Sequence, residues 1–173
     1  MKLISINISL PQKIVSGGKT FVSSIDKKPI DGEIEITPEG LPGDNNYDLK
    51  HHGREFQAVY AYAIEHYEFW RSRVPHKNLS CGVFGENLTT AGLFEKDVYI
   101  GDIFQVGSAI IQATSPRFPC GKLALWMEDD QFIQKFRDSL KSGIYFRVLE
   151  NGIIKPESII TQVEKSGSGI SIE

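Results

Sequence analysis

No apolar run in this sequence approaches the roughly 18 residues that a membrane-spanning helix needs, so nothing in it reads as a membrane helix. The opening stretch "MKLISINISLPQK" lacks the continuous apolar centre and small-residue cleavage site of a secretory signal, and a cytoplasmic protein is expected. There is no excess of base: the formal net charge is −3, which removes the global positive field of a nucleic-acid binder. Cysteine is scarce. Cys81 and Cys120 make no CxxC pair and no zinc-type spacing, and a cytoplasmic setting argues against a disulfide between them. Gly82, Gly85 and Gly92 match neither GxGxxG nor a P-loop, so a nucleotide fingerprint is missing. No flavin or iron–sulfur signature is visible either, so any reduction would draw electrons from an external redox partner. Internal repeats are also absent.

What the chain does have is punctuation. Sixteen glycines and eight prolines cut it into short apolar pieces, most of them with period two. "KLISINIS" (2–9) and "GEIEI" (32–36) alternate, "FQAVYAYA" supplies Val59 and Tyr60, and "DVYIGDIFQVGSAIIQAT" reads as two strands turned at Gly107 and Ser108. "GIYFRVLENGIIKPESIITQVE" predicts a hairpin turned at Asn151 and Gly152. Helical spacing occurs twice. It runs over 64–74 up to Pro75, and over 128–143, where acids precede Phe132, Ile133, Phe136 and Leu140. Many short strands with few helices predict a mainly β, barrel-like domain over 1–164. The polar, glycine-rich residues 165–173 are expected to fray as a tail or linker stub.

Three segments carry candidate chemistry. In "SPRFPCGKL" (115–123), Pro116 and Pro119 restrict the backbone ahead of Cys120, and Arg117 and Lys122 favour its thiolate. That thiolate would act as nucleophile, sulfur carrier or soft-metal ligand, whereas a buried structural cysteine is the alternative. "GLPGDNNYDLKHHG" (40–53) places Asp44, His52 and Gly53 on a long polar loop, which is either a ligand site or a solvated turn. "FGENLTTAGL" (84–93) carries Glu86 and Asn87 in a tight turn, and Arg147 alternates with apolar residues on a strand. Cys81 has no cation near it in sequence and reads as structural.

Taken in order, "GLPGD" with His52 and Gly53, "AVYAY", "GENLTTAGL", "VYIGDIF" and "SPRFPCGKL" resemble the MOSC family. That family is named for the C-terminal part of molybdenum-cofactor sulfurases and includes stand-alone bacterial members of the YiiM type. The resemblance covers residues 2–164. It implies a β-barrel-like fold and a pocket for the molybdenum cofactor (molybdopterin, a pterin dithiolene with a phosphate). Cys120 would ligate molybdenum or carry sulfur as a persulfide. By the same resemblance, Arg117 and Lys122 would meet the cofactor phosphate, and Asp44, His52, Gly53, Glu86 and Asn87 would line the pocket. Arg54 stands where the family commonly has a second glycine, and adds a cation. Arg147 joins the cofactor-binding candidates. Pyridoxal phosphate binding enters only as a family-level association. The usual helical C-terminal domain of YiiM-type proteins is expected to be missing. The leading expectation is a reductase of small N-hydroxylated compounds, such as N-hydroxylated purine bases, with no nucleic-acid polymer or membrane partner. The alternatives are a sulfur carrier or transferase, a cofactor-binding module without catalysis, and a cysteine hydrolase pairing Cys120 with His52.

Overall fold

The structure, a computed structural model, describes residues 1–16, 18–44 and 55–173. Among them, twelve strands and three helices follow in chain order. The first strands are β1 (Lys2–Ile8), β2 (Gln12–Ser16), β3 (Lys19–Ser23), β4 (Lys28–Ile30) and β5 (Ile34–Ile36). A 3-10 turn (Glu55–Gln57), β6 (Val59–Ala63), α1 (Glu65–Arg71) and β7 (Leu88–Ala91) come next. Then follow β8 (Ile103–Val106), β9 (Ala109–Pro116), α2 (Gly121–Met127), α3 (Phe132–Asp138), β10 (Ile144–Glu150), β11 (Gly152–Ile154) and β12 (Ile160–Glu164). Among the described residues no helix is long and apolar enough to cross a membrane.

Eight strands form one sheet in the order β12-β8-β9-β10-β6-β7-β1-β4, antiparallel except for the β6–β7 pair. The sheet also meets itself. Leu3 N donates to Ser158 O at 2.9 Å, Glu157 N to Leu3 O at 2.8 Å and Ile160 N to Met1 O at 2.9 Å, which joins β1 to the start of β12. The expected barrel-like domain is therefore what forms, and closure removes most of its exposed edge.

Period two sorts side chains into two cores. Leu3, Ile6, Val59, Ala61, Phe104, Ile111 and Phe146 fill the barrel. Tyr60, Tyr62, Trp70, Phe84, Leu123, Phe132 and Phe136 pack outside it, under the helices. Strand β6 is buried on both faces because it serves both layers, with Val59 and Ala61 facing one core and Tyr60 and Tyr62 the other.

Several expectations need correction. The hairpin at Asn151 and Gly152 does not form: β10 is already paired on both sides by β6 and β9, and β11 pairs with β5 instead. Gly152 is needed there for close approach, since a Cβ on it would collide with the backbone of Ser108 and Ala109. The helix expected over 128–143 is shorter, at Phe132–Asp138. Glu128, with φ 55°, ends α2, and Asp129 Oδ1 accepts from Gln131 N at 2.9 Å, so the acids separate two helices. The tail does not fray. Ile100 N donates to Ile170 O and Ile172 N to Val98 O, both at 2.9 Å, and the Ile172 side chain is buried.

Gly143 introduces β10 with φ +69°, and a Cβ there would strike the Tyr60 ring and the Ala61 carbonyl. Gly143→Ala is expected to cost about 2–4 kcal/mol, read as a lowered urea midpoint with unchanged slope. An unchanged midpoint would mean that the Tyr60 side of this packing yields easily.

Candidate functional site

The turn 82–86 is the centre of a buried polar network outside the barrel. Glu86 has no exposed surface. Its carboxylate accepts from Gly82 N at 2.8 Å, Phe84 N at 3.1 Å, the Thr89 hydroxyl at 2.9 Å and the Tyr67 hydroxyl. Burial pushes the Glu86 pKa up, and the Tyr67, Gly82 and Thr89 donors oppose that rise. Burial, with the Glu86 charge behind it, raises Tyr67 as well, so this hydroxyl keeps its proton. One side chain therefore fixes the shape of a turn whose carbonyls face the next group.

Asn87 joins strands. Its Oδ1 accepts from Tyr60 N at 3.2 Å, and its Nδ2 donates to Asn7 O at 3.3 Å and to Asp44 Oδ2 at 2.8 Å. Asp44 Oδ1 accepts from Ser9 N at 2.9 Å and pairs with Lys27 Nζ. Lys27 is only 4% exposed. Burial lowers its pKa, while the Asp44 charge beside it works the other way.

Arg117 carries the network to the cysteine loop. It is buried, its Nη1 donates to the Phe84 carbonyl, and its guanidinium carbon lies 4.7 Å from the Tyr60 ring centre. Burial works against its charge, but Tyr60, Tyr145 and Cys120 outweigh that and push its pKa up. Burial likewise raises Tyr60 and Tyr145, with Arg117 opposing in both. The Tyr60 hydroxyl donates to Ser142 O at 2.8 Å. Cys120 is half-buried, extended at φ −113° and ψ 167° just ahead of α2, with its carbonyl accepting from Leu123 N at 2.9 Å. Neither cysteine is in a disulfide.

The structure thus brings Asp44, Glu86, Asn87, Arg117 and Cys120 into one continuous neighbourhood. Lys122 lies half-buried in the first turn of α2. Arg147 stands apart on β10, donating from Nε to Gln112 Oε1 at 2.8 Å with its guanidinium 5.6 Å from the Phe56 ring centre. His52, Gly53 and Arg54 lie outside the described residues.

Sequence reasoning missed Lys27, Tyr60, Tyr67 and Tyr145. "SSIDKKPI" reads as a solvated charged turn, and nothing local separates the buried Lys27 from Lys28, whose side chain is 64% exposed. For Tyr60 a signal existed. The unbroken apolar run "AVYAYA" marks a strand covered on both faces, where a Tyr hydroxyl must find a partner.

Among the described residues, no three His, Cys, Asp or Glu side chains converge as a metal site. The donor set suits a metal delivered inside a larger group: one thiol to bind it, and the buried Arg117 beside it to meet an anionic part.

Residues 48–161 match the family described as MOSC domain. YflK of Bacillus subtilis (strain 168) is 37% identical over 171 residues, covering 99% of this chain and 77% of YflK. A protein named Reductase from Gibberella moniliformis is 30% identical over 166 residues, covering 94% of this chain but 29% of that protein. The crystal structure of YiiM from Geobacillus stearothermophilus superposes with TM-score 0.79 at 33% identity, covering 99% of this chain and 79% of that one.

Proposed function

Because the chain belongs to the MOSC domain family, among its stand-alone YiiM-type members, we propose that it holds the molybdenum cofactor through Cys120 and reduces small N-hydroxylated compounds, N-hydroxylated purine bases among them. The observation that carries this reading is the placement of Cys120 beside a buried, charged Arg117 on a loop held by prolines. When bound, the cofactor supplies the two-electron removal of oxygen, with electrons from an external redox partner. The chain's part is to bind and orient. The Cys120 sulfur is the protein ligand. Arg117 holds a fixed positive charge beside it, and Lys122 and Arg54 add cations for the cofactor phosphate. By the family resemblance Asp44, Asn87, His52 and Gly53 would line the pocket, the last two from outside the described residues, while Glu86, fully buried, holds the turn behind it. Burial keeps Tyr145 protonated next to Arg117 and Cys120. A reducing cytoplasmic setting suits a thiol left outside any disulfide.

Molybdenum analysis of protein made in a cofactor-competent host tests this. The wild type is expected to retain near-stoichiometric molybdenum, and Cys120→Ala at least about tenfold less, while circular dichroism stays unchanged. A metal-free wild type, or equal metal in both proteins, would overturn it.

The half-buried position of Cys120 also suits a sulfur carrier, since the thiol remains within reach of a donor. That reading expects about 32 Da of added mass on the Cys120 peptide of gently isolated protein. Retention of cofactor by Cys120→Ser without turnover of any hydroxylamine would instead identify a binding module.

A further inference from the structure

The buried acid Glu95 lies in the 3-10 turn Glu95–Asp97 and is 3% exposed, and its partner His66 on α1 is 6% exposed. Glu95 Oε2 is 2.8 Å from His66 Nε2. The imidazole is held in turn against the Tyr62 and Phe94 rings, whose centres are 5.3 and 6.0 Å from its own. The other oxygen, Oε1, accepts from Gly143 N at 2.6 Å. That N–H belongs to the same peptide group as the Ser142 carbonyl, which accepts from the Tyr60 hydroxyl at 2.8 Å. Glu95 and Tyr60 thus hold the two ends of a single amide. The fit is close, since a Cβ on Gly143 would lie 2.5 Å from the Tyr60 hydroxyl oxygen. On the far side of that hydroxyl stands Arg117. The two side chains hydrogen-bond, the guanidinium carbon is 4.7 Å from the Tyr60 ring centre, and Cys120 is near enough to Arg117 to act on its charge.

We propose that Glu95, braced by His66, is a positioning residue for the Cys120 site: through the 142–143 peptide it commits the Tyr60 proton to Ser142, which leaves the Tyr60 oxygen as the acceptor that fixes Arg117. The consequence for cofactor binding rests on the molybdenum-cofactor reading above, whereas the relay itself does not. A carboxylate that accepts an amide proton polarises the whole amide, and its carbonyl becomes the stronger acceptor. A Tyr hydroxyl has one proton to donate. With that proton held by Ser142 O, only lone pairs are left to face the guanidinium. Burying a carboxylate to secure one turn is costly when a neutral side chain could accept the same N–H. Polarisation along the relay is what the charge adds.

The test has one readout on metal-free protein and one on cofactor-loaded protein. In the metal-free protein, proton NMR is expected to show a resolved Tyr60 hydroxyl resonance, assigned by its loss in Tyr60→Phe, and Glu95→Gln should move it upfield. In the loaded protein, Glu95→Gln and Tyr60→Phe should each release molybdenum about tenfold faster than the wild type, the scale of outer-shell partners of a metal site. Glu95→Gln combined with Tyr60→Phe should release it no faster than Tyr60→Phe alone, because Glu95 acts only through that hydroxyl. Glu65→Gln, which removes the charge from a carboxylate that accepts from Gly92 N at 2.8 Å, should change neither readout. A hydroxyl resonance unmoved by Glu95→Gln, or losses that multiply in the double variant as two separate packing defects would, overturns the inference. Should Glu95→Gln not fold, a slowly exchanging wild-type hydroxyl supports the relay, and a hydroxyl in fast exchange with water overturns it. A wild type that holds no molybdenum overturns the cofactor reading alone, because the hydroxyl shift is read on metal-free protein.

Discussion

Glu86→Ala is expected to destabilise the protein by about 4–5 kcal/mol, at the upper end of what single substitutions do. The carboxylate is fully buried and takes four hydrogen bonds, from Gly82 N, Phe84 N, the Thr89 hydroxyl and the Tyr67 hydroxyl. Alanine leaves all four donors without an acceptor, and each buried orphan costs about 1–3 kcal/mol before relaxation. Glu86→Gln keeps the shape but turns an NH2 group toward a donor, so about half the loss is expected. Urea unfolding measures both, and losses within about 1 kcal/mol would mean that water replaces the carboxylate. The pH dependence has a definite sign. Burial raises the Glu86 pKa in the folded protein above its ordinary value of 4.5, so the folded state binds more protons than the unfolded state in the window above that value. Stability contributed by Glu86 is thus full in acid and falls as pH rises through the folded pKa. Glu86→Gln should flatten the wild-type profile there. Because Phe84 also offers its carbonyl to Arg117, the same substitution is expected to reduce molybdenum retention along with stability.

Much of this architecture was legible because periodicity survives local noise. The alternation in 2–9 became β1, and the alternation in "SAIIQAT" became β9. The helix expected over 64–74 is present as Glu65–Arg71. What could not be read was pairing. Asn151 and Gly152 are a strong local hairpin signal, yet the strand before them has no edge left to give, and that is a property of the closed sheet. Helix α2 was hidden for a local reason: Pro119 and Gly121 flank Cys120 and mark a loop, while Leu123, Ala124 and Met127 are buried only because the outer core is waiting for them. The site divides the same way. Cys120 and Arg117 are two residues of one rigid loop, and Glu86 and Asn87 are neighbours in one turn, so short motifs exposed them. Lys27 reaches Asp44 across 17 positions and Arg147 meets Phe56 across a strand pair. Such partners are set by register, which one sequence does not print.

The Lys27–Asp44 pair is where register has the largest energetic consequence. Asp44→Ala is expected to cost about 3–5 kcal/mol, because it strands an ammonium group that is 4% exposed and removes the acceptor for Ser9 N and Asn87 Nδ2. Lys27→Met should cost less, since Asp44 keeps those two donors. The double variant Lys27→Met with Asp44→Ala should lose about 2–3 kcal/mol less than the sum of the two single losses, because neither charge remains to be stranded. The alkaline limb of the stability profile separates charge from packing. Burial lowers the Lys27 pKa below the ordinary lysine value of 10.5, with the Asp44 attraction opposing it. Between the folded pKa and 10.5 the unfolded state binds more protons, so stability rises with pH in that window. Lys27→Met should abolish the rise, and Asp44→Ala should steepen it by removing the counter-charge. An additive double variant would mean that the two side chains act as separate packing groups. A non-additive one would make the pair a clamp that holds Asn87 between Asp44 and Tyr60, and so keeps the turn under Arg117 and Cys120 in register with the barrel.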